Sequence, residues 1–141
     1  MALSRMLPVI TYETAGKLVA EAVAHAEAGG WAIAVVVVDP SGHIVASARM
    51  DGVSAPIIEF AADKAYTAVT LRIPTANVAK EMIDSKQQEM GALGRPRLCA
   101  WDGGVPIIEN GAIIGGLGVS GAPGPIDIEC GAKALAVLGL G

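Results

Sequence analysis

Histidine is almost absent from this chain: its 141 residues carry only His25 and His43. Two imidazoles cannot build a three-histidine zinc centre within one chain, and no H-E-x-x-H pattern occurs, so neither structural nor catalytic zinc is expected. Cysteine is equally scarce. Cys99 and Cys130 lack metal-ligand spacing and suit the reducing cytoplasm, as two small buried thiols or as a pair if the fold brings them together. Basic residues are few and scattered: ten Lys and Arg stand against fourteen Asp and Glu, for a formal charge of −4. No basic stripe exists to gather phosphates, which argues against nucleic acid as a partner. Long apolar runs are missing too. The longest, Trp31 to Val38, falls far short of the roughly 20 residues that span a bilayer, and Pro8 precedes any apolar core at the N-terminus. The expectation is a soluble protein without a signal peptide or a membrane partner.

What is abundant is apolar surface: 52% of the residues are hydrophobic and only 17% charged. A chain of this length fits one domain, residues 1–141, with more apolar surface than a small domain easily hides, so a homo-oligomer is expected. No internal repeat, low-complexity tract or linker divides it.

Ala15, Leu18, Val19, Ala22, Val23 and Ala26 recur at helical spacing, opposed by Glu13, Lys17 and Glu27, and Gly29-Gly30 supplies the stop. Residues 31–38 lack alternation and are rich in β-branched side chains, as expected of a central strand covered on both faces. Asp39-Pro-Ser-Gly42 is turn chemistry leading into a strand over His43–Met50, so these strands form a hairpin. A second helix spans about residues 55–72 and a third starts near Pro74-Thr75, where threonine can cap. Arg97–Trp101 reads as a short strand. Asn110-Gly111 between two apolar runs is a hairpin signal, because both residues tolerate positive φ. A last helix runs from about Pro125 to Leu138. The order α-β-β-α-α-β-β-β-α contains antiparallel hairpins rather than βαβ crossovers, which predicts an α+β fold with about five strands. The second helix is apolar on two sides: Ile58, Ala61, Ala62, Ala65 and Val69 on one, Ile57, Phe60, Ala68 and Leu71 with Lys64 on the other. Such a helix is covered twice, once by its own sheet and once by a neighbouring subunit.

The hairpin Val105–Gly121 runs into Ala122-Pro-Gly-Pro125. Taken with Val36-Val-Val-Asp-Pro-Ser-Gly-His43 and Ser47-Ala-Arg-Met-Asp-Gly52, it resembles the GlcG/HbpS family, which also supplies the C-terminal domain of PduO-type proteins. The resemblance covers roughly the whole chain. It implies a profilin-like arrangement, an antiparallel sheet with helices packed on it. It also implies binding of a small ligand, expected here to be haem or a related tetrapyrrole such as a corrinoid, since some members of the family bind tetrapyrroles. The alternatives are an enzyme acting on a small carboxylate-bearing substrate in organic-acid or aromatic catabolism, or a non-catalytic accessory module.

Gly116-Leu-Gly-Val-Ser-Gly121 matches G-x-G-x-x-G literally. Its glycines lie in a hairpin strand, and too few residues follow for a second βα unit, so NAD is not expected. The glycines serve either close strand packing or an anion site in which Ser120, Gly121 and Gly124 hold a carboxylate or phosphate. Asp127 near the start of the last helix joins that site or caps the helix. His25 lies one turn after Glu21, whose carboxylate could orient it. It is a surface histidine or, as the resemblance suggests, the axial ligand of a haem at a subunit interface. Arg49 and Asp51 pair with each other, or Arg49 grips the carboxylate of a small anionic ligand while Asp51 stabilises a turn. Lys64 on an apolar helix face snorkels, pairs with a carboxylate, or is desolvated into a base or Schiff-base amine; Asp51 is the other candidate proton carrier.

Overall fold

The computed structural model describes Met1–Gly141. Nine elements follow in order: α1 (Tyr12–Ala28), β1 (Ala34–Val38), β2 (Ile44–Arg49), α2 (Ile57–Leu71), α3 (Thr75–Asp84), α4 (Lys86–Leu93), β3 (Gly104–Glu109), β4 (Ala112–Ser120) and α5 (Gly124–Val137). The strands form one antiparallel sheet in the order β2-β1-β4-β3. Val35, Val37, Leu117 and Val119 point to α1 and α5, while Ala34, Val36 and Val38 point to α2. The sheet is therefore sandwiched, and all five β1 residues are fully buried, as their unbroken apolar run requires. No helix is long and apolar enough to cross a membrane.

The α+β class and the antiparallel hairpins are those the pattern of residues predicts. Asn110 (φ 49°) and Gly111 (φ 79°) make the tight turn between β3 and β4. Asp39 Oδ1 accepts from the Ser41 and His43 amides at 2.8 and 3.1 Å, folding the β1–β2 turn. Thr11 caps α1 by accepting from the Thr14 amide, and Gly30 (φ 78°) turns the chain beyond its end.

The glycines of β4 have a packing role. A Cβ on Gly116 would stand 2.6 Å from the Ala65 carbonyl oxygen, one on Gly104 2.5 Å from that of Lys64, and one on Gly118 would overlap that of Ala61. Helix α2 thus lies almost directly on the backbone of β3 and β4, which explains the G-x-G pattern and sets Lys64 against the end of β4.

Three expectations are corrected. The sheet has four strands rather than about five. Arg97–Trp101 joins none of them, because its backbone is taken up by Thr67: the Cys99 amide donates to Thr67 Oγ1 (2.9 Å), which in turn donates to the Arg97 carbonyl (3.1 Å). That segment covers part of the second side of α2. Lys64, Thr67 and Ala68 are buried within the chain, whereas Ile57 and Phe60 are half-buried and Leu71 is 41% exposed, so the chain itself covers only part of this side of the helix. Finally, Thr75 does not cap α3. Its hydroxyl is turned to β3, accepting from the Gly104 amide at 2.9 Å.

Candidate functional site

Helix α2 delivers Lys64 to the point where β4 ends and α5 begins. Its side chain is 3% exposed, and Nζ donates to the Val119 carbonyl (2.8 Å), Ser120 Oγ (3.1 Å) and Asp127 Oδ2 (3.3 Å). An ammonium has three protons, and here all three are engaged. Asp127 sits in the first turn of α5, where the helix dipole favours a carboxylate, and its Oδ1 accepts from the Ala122 amide at 3.1 Å. Burial pushes the Asp127 carboxyl above its usual range. The charge of Lys64 and the Ala122 amide pull it back down, and the nearby Asp102 pushes it up again. The reading of Lys64 that the geometry matches is therefore pairing with a carboxylate.

This pair floors a cleft of about 540 Å³, walled by Ile57, Phe60, Ala100, Trp101, Asp102 and, from the glycine loop, Ser120, Gly121, Ala122 and Gly124. Five residues singled out from the sequence, Lys64, Ser120, Gly121, Gly124 and Asp127, meet there. Phe60 and Trp101 cross edge to face, with centroids 5.4 Å apart and planes at 82°. The sequence offered no spacing that joins Phe60, Trp101 and Asp102 to the glycine loop. The turn residues Asp102-Gly103-Gly104, with Gly103 at φ 121°, were the only signal that the chain reverses there.

Arg49 stays outside the cleft. Ala34 pairs with Arg49 on one side and Ser120 on the other, so the two lie about 10 Å apart across the sheet. The exposed guanidinium donates to the Val53 carbonyl at 3.0 Å. Arg49 and Lys64 are thus not turned to one shared ligand, and Asp51 is an exposed turn residue forming no salt bridge with Arg49. His43 is an exposed residue at the end of the β1–β2 turn. The cysteines are unpaired. Burial pushes the Cys130 thiol up to about 11 and raises that of Cys99 as well.

His25 stands elsewhere, on the side of α1 that faces α5. The residue that meets it is Glu129, whose Oε2 lies 3.2 Å from Nε2, rather than Glu21 one turn away. The imidazole is one-third exposed and borders an open groove of about 530 Å³ walled by Glu21, Ala24, Lys133, Ala136 and Val137.

The family model described as haem degrading protein HbpS-like matches residues 10–136. The chain belongs to the HbpS-like family. This HbpS-like chain is 32% identical over 113 residues to protein GlcG of Escherichia coli K12, spanning 79% of this chain and 81% of that one. The crystal structure of HbpS superposes with a TM-score of 0.87 at 33% identity, covering 96% of this chain and 94% of the other. The PduOC:haem complex has the same fold, with a TM-score of 0.87 at 24% identity over 94% of this chain and 97% of that one.

Proposed function

We propose that this HbpS-like chain binds haem, or a related tetrapyrrole such as a corrinoid, through His25 in a homo-oligomer. The observation that carries the reading is the pairing of His25 with Glu129 beside an apolar-floored groove. A carboxylate on one ring nitrogen fixes the orientation of the imidazole and raises the basicity of the other, the arrangement that surrounds metal-bound histidines. Ala24, Ala136 and the exposed Val137 offer an apolar shelf to a flat macrocycle, and Lys133 offers a cation to a propionate. The residues present therefore fit the group. The family description and the haem held by the related fold point the same way.

Within this reading, His25 would hold the metal through Nδ1, the ring nitrogen that Glu129 leaves free, Glu129 would fix the orientation of the ring, and Lys133 would pair with a carboxylate of the macrocycle. The bound metal would supply redox or ligand-exchange chemistry. An open groove covers one face of a macrocycle, and a second copy of the chain is suited to cover the other. Adding haemin to the purified protein should produce a shifted Soret band. His25→Ala should remove the low-spin Soret and Q-band features without changing the circular dichroism. An unshifted Soret with the wild type overturns the haem reading, and an identical spectrum in the variant overturns His25 as the ligand.

A further inference from the structure

The cleft between α2 and α5 is separate from the His25 groove, and its charge selects what can enter. Lys64 is its only cation, and all three of its protons are consumed by Val119, Ser120 and Asp127. The pair it forms with Asp127 is internally neutral. Asp102, half-buried in the wall, takes part in no salt bridge, so the cleft as a whole carries one negative charge. Beside that carboxylate stand the rings of Phe60 and Trp101, Trp101 being 62% exposed. Ring faces attract cations and stack with flat apolar groups. Ser120 Oγ spends a lone pair on Lys64 and keeps its own proton to donate.

From this we infer that the cleft is a binding site for an organic ammonium with an apolar or aromatic body. The ammonium meets Asp102, and the body lies against Phe60, Trp101 and Ile57. A small carboxylate meets the opposite conditions: Asp102 repels it, and no free side-chain cation is present to compensate. The inference does not depend on His25 or on haem.

Benzylamine, benzyl alcohol and benzoate are matched probes, sharing a ring and differing in charge. Trp101 fluorescence in a Trp31→Phe background reports occupancy, and calorimetry on the wild type gives affinity. Benzylamine should bind saturably, benzyl alcohol at least tenfold more weakly, and benzoate more weakly still. Asp102→Asn keeps the shape of the side chain and should lower benzylamine affinity about ten- to hundredfold, the loss expected for one charge-assisted contact. It should leave benzyl alcohol binding unchanged and circular dichroism native. Absence of saturable benzylamine binding, benzoate binding equal to it, or an unaltered affinity in Asp102→Asn each overturns the proposal. If Asp102→Asn unfolds, the order of the three probes on the wild type still decides.

Discussion

Lys64 illustrates how one residue can be conspicuous in sequence and yet ambiguous in role. A lysine on an apolar helix face is compatible with snorkelling, pairing or chemistry, and only the end of a strand distant in sequence distinguishes them. Here Val119, Ser120 and Asp127 close around it. Two buried charges that satisfy each other contribute little net stability, but either one left alone is costly. Lys64→Met should therefore destabilise the chain by about 3–5 kcal/mol at neutral pH in urea titrations. Asp127→Leu should cost about as much, while the double variant recovers a large part of the loss. The pH dependence has a definite sign. Burial already raises Asp127 and Lys64 opposes it, so removing Lys64 raises the carboxyl further. A group whose folded pKa is raised penalises folding above that pKa, and the penalty disappears as pH falls toward the unfolded value. The deficit of Lys64→Met should accordingly shrink from pH 7 to pH 4. A deficit that is constant with pH, or additive single variants, would contradict this account of the pair.

At the scale of elements, local patterns were readable wherever local chemistry decides them. The 3.6-residue recurrence marks α1, the unbroken β-branched run marks β1, and Asn110-Gly111 marks the β3–β4 turn, each because the signal sits within a few residues. Arg97–Trp101 was not readable in this way. Its residues look like a strand, but the segment begins in a turn, and Thr67 on α2 bonds the Arg97 carbonyl and the Cys99 amide that a neighbouring strand would have paired. For the same reason the second apolar side of α2 suggested a subunit contact where the chain itself supplies part of the cover. The glycines of β4 were ambiguous from sequence because an anion loop and a close packing surface call for the same residue. The approach of the α2 carbonyls favours packing, which gives a test. Gly118→Ala places a methyl on the Ala61 carbonyl oxygen and should cost about 3 kcal/mol or more, at the upper end of overpacking penalties. Gly111→Ala has open space around it and suffers only its positive φ, so it should cost about 1 kcal/mol. Thermal unfolding of the two variants should show this ranking. Equal costs would mean that α2 can move off the sheet without penalty.

For the whole molecule, composition said that apolar surface would exceed what the chain can bury, and the structure shows where the excess lies. Leu3, Met6, Leu7 and Val9 are from 49% to 96% exposed along a stretch with no secondary structure. The backbone bond from the Ile10 amide to the Ile114 carbonyl, at 2.9 Å, fastens the end of this arm to the hairpin. On the α5 side, a groove of about 450 Å³ runs beside the edge strand β3, walled by Val105, Ile128, Leu135 and Leu140. Each large side chain moved from water into an apolar contact gains roughly 1.5–3 kcal/mol, so an arm and a groove left bare on one chain favour association with another. This places the homo-oligomer proposal on different residues from the face of α2 that first suggested it. Removing residues 1–8 should lower the sedimentation coefficient at micromolar concentration toward that of a single chain, and Ile128→Glu should do the same from the groove side. Both changes lie outside the buried core, since Ile128 is 44% exposed, and circular dichroism should stay native. If the wild type already sediments as one chain, or if both variants keep the wild-type assembly, then the arm and the groove are not what brings copies together.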